Sequence, residues 1–90
     1  MRKIERDMLT AVIDGRAWQY GNTRVTAGGD VYLHGHHIAS RLSSGALIVR
    51  RDTLRDWPTA TTISRLRALG ASIEVKARKV YLDGEFVAER

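Results

Sequence analysis

The sequence predicts an α+β fold made of two helix–strand–hairpin units related by an internal repeat. An antiparallel β-meander sheet would be covered by two short helices. Three observations carry that expectation. Two eleven-residue segments match each other, short β-branched and aromatic runs alternate with tight turns, and an apolar stripe of helical period opens each half.

The first helix is read from Ile4, Met8 and Val12 with Leu9 and Ile13, which recur at i and i+4 as one stripe; Gly15 supplies its stop. Arg16 to Gly21 reads as a connection whose aromatics, Trp18 and Tyr20, cap the core. Thr23-Arg24-Val25-Thr26 alternates as a strand, and Gly28-Gly29-Asp30 is turn chemistry. Val31-Tyr32-Leu33, His34-Gly35 and His36-His37-Ile38-Ala39 give strand, turn, strand. Ser43-Ser44-Gly45 turns the chain into a fourth strand, Ala46–Val49. Trp57-Pro58 breaks the pattern, and Thr59, Thr61 and Thr62 offer N-cap hydroxyls to a helix carried by Ile63, Leu66 and Leu69. That helix stops at Gly70. Ser72–Lys76 is then a strand, and Val80–Leu82, Asp83-Gly84 and Glu85–Ala88 close the chain with a hairpin.

The repeat sets Val31–Arg41 against Val80–Arg90, 49 residues further on, with six of eleven positions identical. Two-residue turns would place Tyr32 opposite His37 and Tyr81 opposite Phe86. At 90 residues the chain is expected to be one domain, 1–90. Its half-units run roughly 1–41 and 59–90, linked by a strand and loop at 42–58. A domain of this length buries only about 60–65% of its unfolded surface, so two half-cores covering each other is a structural reason for the duplication.

Charge narrows the partner class. The net charge is +5, from twelve arginines and three lysines against ten acids. Arg41, Arg50, Arg51 and Arg55 against Asp52 give the middle +3. Arg65, Arg67, Lys76, Arg78 and Lys79 against Glu74 give residues 65–79 a charge of +4. Such a field attracts nucleic acid or an acidic protein surface, and it is also what a solvated Arg-rich surface looks like. Cysteine is absent, which removes disulfides and thiolate metal sites and suits a reducing cytosol. No stretch reaches the ~18 apolar residues of a membrane span, and the mixed charges of Met1–Asp7 lack a signal-peptide pattern. A cytoplasmic location is expected.

Chemistry-bearing groups are few. His34, His36 and His37 are a ligand type for Zn²⁺ or Ni²⁺, but the second hairpin has Asp83, Glu85 and Phe86 in those places. No carboxylate is placed to complete a four-ligand set. The three read instead as a turn residue, an exposed residue and a partner for Tyr32, with no metal and no cofactor. No phosphate-cradling glycine loop or acid–base pair occurs, so no catalytic residue is expected and the chain reads as non-enzymatic. The stretch Thr59–Arg67 can seat a phosphate at a helix N-terminus, and it is equally what ordinary capping looks like.

Other residues carry a resemblance. Met1–Glu5 opening a helix, Trp18 followed by Asn22–Val25, and Val31–Gly35 with Ile38-Ala39 are three of its parts. Trp57, Thr59, Thr61-Thr62, Ser64–Leu66 and Ala68-Leu69 complete it. In these the chain resembles a family of short orphan proteins of tailed bacteriophages. The resemblance implies phage origin and action inside a bacterial host, and it transfers no functional residue. Three functions follow as expectations. The first is a small effector that docks on a host protein or ribonucleoprotein, such as a defence complex or a nucleic-acid-handling enzyme, with the Arg side chains and the aromatics Trp18 and Trp57 as anchors. The second is a nucleic-acid-binding accessory protein with Arg50, Arg51, Arg65, Arg67, Lys76, Arg78 and Lys79 on phosphates. The third is self-association as a homodimer through strand edges. The resemblance ranks the effector first.

Overall fold

A computed structural model describes all 90 residues. Helix α1 (Lys3–Asp14) leads into five antiparallel strands: β1 (Trp18–Tyr20), β2 (Thr23–Val25), β3 (Asp30–Leu33), β4 (His36–Arg41) and β5 (Leu47–Val49). Two helices follow, α2 (Arg51–Asp56) and α3 (Ala60–Ala68), and then β6 (Ile73–Lys76), β7 (Lys79–Leu82) and β8 (Glu85–Glu89). The fold is α+β. It holds two sheets, ordered β1-β2-β3-β4-β5 and β6-β7-β8, where the sequence predicted one. The reason is α2–α3: the chain leaves the first sheet at β5 and returns to strand only after two helices, so the second meander starts afresh.

Two short elements depart from the expectation. Trp18–Tyr20, read as a connection, is the edge strand β1, paired Trp18↔Val25 and Tyr20↔Thr23 across the Gly21-Asn22 turn. The segment 42–58, read as strand and loop, contains α2. Six residues with Leu54 as the sole buried one give no periodic stripe to read, so only packing reveals that helix. The protein therefore has three helices, not two. Nor do the two halves match as helix–strand–hairpin units, because α1 is followed by β1 while α3 runs directly into β6.

The strand-and-hairpin parts do share their geometry. Val31↔Ala39, Tyr32↔His37 and Leu33↔His36 in the first answer to Val80↔Ala88, Tyr81↔Phe86 and Leu82↔Glu85 in the second. Each ladder shifts register at the same place, before the tyrosine. The extra residue turns Ile38 and Ala39 both toward the core, as an alternating strand would not. Both tips have two consecutive residues at positive φ, His34 (52°) with Gly35 (80°) and Asp83 (51°) with Gly84 (82°), the turn that matches strand twist.

One apolar cluster of 14 buried residues joins the two sheets: Val25, Val31, Leu33 and Ile38 from the first, and Ile73, Val80 and Leu82 from the second. Met8 of α1, Leu54 of α2 and Leu66 of α3 fill it. Helix α2 packs on both β4 and β8, so Leu54 sits where the sheets meet. Gly15 caps α1 in the left-handed region and Thr59 caps α3, its hydroxyl accepting the Thr62 N–H at 3.1 Å.

A charged pair lies inside this small core. Glu5 of α1 and Arg65 of α3 are each about 95% buried, with Arg65 Nη1 donating to Glu5 Oε2 at 2.8 Å. Ser64 Oγ donates to the same oxygen at 2.5 Å, and Arg65 Nε donates to Thr23 Oγ1 at 3.2 Å. Every buried side-chain polar atom has a partner.

Removing one member should therefore strand the other. Arg65→Ala is expected to cost about 3–5 kcal/mol in urea unfolding, whereas the paired apolar swap Glu5→Leu with Arg65→Met costs far less. Burial pushes the Glu5 carboxyl up, but the Ser64 and Arg65 hydrogen bonds and the Arg65 charge outweigh it, leaving Glu5 below its ordinary value of 4.5. A lowered folded-state value gives stability that is full above 4.5 and is lost as pH falls through that lower value. Thermal melts should thus show an acid loss beginning below pH 4.5 that Glu5→Gln lacks.

Candidate functional site on the open face of the larger sheet

Alternation along β2, β3 and β4 sends Val25, Val31 and Leu33 to the core and leaves Arg24, Tyr32 and His37 on the opposite face. The register aligns these three in one row. Arg24 lies over the Tyr32 ring, its guanidinium carbon 4.4 Å from the centroid. His37 stacks on Tyr32 at 4.9 Å and 24°. Arg50, the residue before α2, donates from Nη1 to His37 Nδ1 at 3.0 Å and lies 3.5 Å from Asp52. The Thr53 backbone N–H, and after it the Arg50 charge, hold the Asp52 carboxyl below its ordinary value of 3.8.

The hydrogen bonds beneath the row have a fixed direction. Arginine can only donate, so His37 Nδ1 accepts and Nε2 carries the proton. Nε2 then donates to Ser40 Oγ at 2.8 Å, and Ser40 donates to Asp30 Oδ1 at 2.6 Å. A nucleophilic serine needs the opposite order, with the imidazole accepting the hydroxyl proton and the carboxylate behind the imidazole. Here the proton is already committed to the carboxylate. The group is a positioning network that holds His37, and through it Arg50.

The seven cations singled out from sequence do not form one patch. Arg50 is at the end of the row and exposed; Arg51, next to it, points toward β8, 3.7 Å from Glu85. Arg65 is inside the core pair and faces no solvent. Arg67 gives Nε and Nη2 to the Ile73 carbonyl, at 3.0 and 2.8 Å, tying α3 to β6. Lys76, Arg78 and Lys79 share the β6–β7 turn, at the far end of the smaller sheet from Glu85, with Glu74 3.2 Å from Lys76 and Glu89 opposite Lys79. Trp18 is half-buried against the core. Trp57 is 48% exposed and stacks on His36 at 4.5 Å, beside a cavity of about 140 Å³ that includes Leu33, Ile38 and Thr62.

The three histidines diverge: His34 Nε2 meets Asn22 Nδ2 at 3.2 Å, His36 meets Trp57, and His37 faces the other side of β4. Arg24 and Tyr32 are the functional candidates that sequence reading missed. The available signal was register, since a strand ending at Val25 and a turn at Gly28-Gly29 put Arg24 opposite Tyr32.

At the equivalent positions of the smaller sheet, Glu74 stands opposite Tyr81 and Phe86 meets that ring edge-on at 6.0 Å and 74°. The backbone and the tyrosine are kept. Arg24 is replaced by Glu74, His37 by Phe86, and the tip residues His34 and His36 by Asp83 and Glu85.

A family model described as Kyanoviridae Gp96 protein matches residues 1–88, and the chain belongs to that family of phage proteins. No curated protein and no solved structure matches.

Because Phe86 occupies the same ladder position, the scaffold should accept His37→Phe with a shift in melting temperature of no more than about 5 °C. Tyr32→Ala removes the ring on which both Arg24 and His37 rest, and should cost about 1–2 kcal/mol. Melts followed by circular dichroism decide both.

Proposed function

We propose that this member of the Kyanoviridae Gp96 family is a small, non-enzymatic phage effector that binds an anionic host macromolecule on the open face of its five-stranded sheet. The observation that carries this reading is the row Arg24–Tyr32–His37–Arg50. Exposed arginines normally lose side-chain entropy when they bind, about 0.5–1.5 kcal/mol for each immobilised chain. Here one guanidinium is already laid on a tyrosine ring and the other is already hydrogen-bonded to an imidazole. Both arginines are exposed. Preorganised cations hold an anion at lower cost than free ones, and the chain's net charge of +5 steers such a partner toward it.

The non-enzymatic part of the reading is supported by the donor order at Ser40, which commits the hydroxyl proton to Asp30. Action in the bacterial cytoplasm accords with phage membership, and no helix is long and apolar enough to cross a membrane. The host partner on this reading is a nucleic acid, or a protein or ribonucleoprotein with an acidic surface, such as a component of a defence complex.

The test is capture from host lysate by immobilised protein, with and without nuclease, comparing wild type with the Arg24→Glu/Arg50→Glu double variant. Wild type should retain a discrete macromolecule that is released on raising salt from roughly 50 to 500 mM, and the double variant should not retain it. Equal recovery on both proteins would exclude the sheet face as the site.

A further inference from the structure

Resting on that reading, we infer that the anionic partner is a single-stranded nucleic acid, with phosphates on the N–H edges of Arg24 and Arg50 and a base stacked on the outer, Arg24 end of the column. The first argument is the order of groups along the row. Cations stand at the two ends and aromatic rings stand between them, on one face of the sheet. Adjacent strands are about 4.8 Å apart, so Arg24 on β2 and His37 on β4 are separated by about 10 Å, with Arg50 beyond. An acidic protein surface would use the charges and leave the column unextended. A single strand presents both phosphates and π-faces, and sheet faces that bind it combine cations with aromatic stacking. Tyr32 is closed by its neighbours, but Arg24 is exposed, so the guanidinium face turned away from Tyr32 is open for a base to continue the column.

The second argument is the internal comparison. The smaller sheet keeps the ladder, the register shift and the tyrosine while carrying Glu74 and Phe86 on its outward face where the larger has Arg24 and His37. The scaffold therefore folds without the basic and imidazole groups. Their presence on one face only marks that face as the one that meets a polyanion.

Two carboxylates also lie on or beside the row, and both are engaged: Asp30 accepts the Ser40 hydroxyl and Asp52 lies against Arg50. A duplex fits the face less well. His37 is only 24% exposed, and Arg24, Tyr32 and His37 are carried across three strands rather than on a helix of the kind that enters a major groove. The cationic turn Lys76–Lys79 is the competing surface, but Glu74 and Glu89 flank it and no aromatic ring stacks between its charges.

Fluorescence anisotropy with labelled single strands of about twelve nucleotides, oligo(dT) and oligo(U), tests this directly. Arg24→Glu/Arg50→Glu is compared with Lys76→Glu/Lys79→Glu, which makes the same change in net charge at the other surface. All four residues are exposed, and circular dichroism confirms folding. Wild type should bind at about 50 mM salt with affinity falling linearly in log–log salt plots. The arginine pair should lose about 100-fold or more and the lysine pair no more than about threefold. His37→Phe, which keeps a ring but releases Arg50, should lose an intermediate amount. Equal losses from the two double variants, a matched duplex bound as tightly as the strand, or no binding at low salt would each overturn the inference. Lysate capture of a nuclease-resistant protein by wild type but not by the arginine variant would overturn it too, while leaving the sheet-face reading intact.

Discussion

The buried pair between Glu5 and Arg65 is the constraint on which the arrangement of this protein turns. Its two members come from helices far apart in sequence, and both helices add apolar side chains to a core of 14 buried residues, small as expected for a chain of this length. Apolar contact between α1 and α3 would tolerate sliding. A carboxylate that must accept from Ser64 and Arg65 at one oxygen does not, because any slip leaves a buried charge unmatched. Net stabilisation from such a pair is small compared with an apolar replacement. Its effect here is to specify one alignment of α1, α3 and β2, the last through Thr23.

The same network reaches the surface. Thr23 Oγ1 accepts from Arg65 and donates to Asn22 Oδ1, and the Asn22 amide meets His34 at the hairpin tip. The backbone N–H of His34 donates to the Asn22 carbonyl at 2.8 Å, so a residue at positive φ is held by two contacts to one neighbour. Arg50 is fixed comparably from the other side. Its N–H bonds to the Ile38 carbonyl and its own carbonyl accepts from Leu54, which anchors it to the first sheet and to α2 at once. Leu54 in turn occupies the junction of the two sheets. The end of the arginine–aromatic row is thus positioned by the core, and its side chain needs only one hydrogen bond to His37 to be aimed.

What could be read in the sequence follows from the range of the forces involved. Local signals were reliable: the αL stop at Gly15, the Thr59 cap, both hairpin turns and the pairing of each tyrosine with position 37 or 86. Features that exist only through tertiary contact were not. Helix α2 has a single buried residue, and β1 is a three-residue edge strand, so neither offers a pattern long enough to read. Arg65 looks like any other arginine of a basic helix until α1 brings Glu5 beside it. Arg67 looks free until its two bonds to the Ile73 carbonyl are seen. Summing charge along the chain grouped Arg65, Arg67, Lys76, Arg78 and Lys79, yet the fold buries the first, engages the second and carries the rest to the end of the smaller sheet.

The tyrosines show why similarity between the hairpins says something about function after all. Tyr32 and Tyr81 are identical, and identical residues in so small a protein are expected in the core. Both instead lie half-buried on the outward faces, where their partners decide the surface. A stacked imidazole and a guanidinium over the ring complete one column, whereas Phe86 meets Tyr81 edge-on and Glu74 supplies no plane at all. The shared ring is a platform in both sheets. In the larger sheet, Arg24 and His37 complete the column and His37 holds Arg50 at its end, so the same backbone that buries Val31 and Val80 alike gives this one face a preorganised positive row.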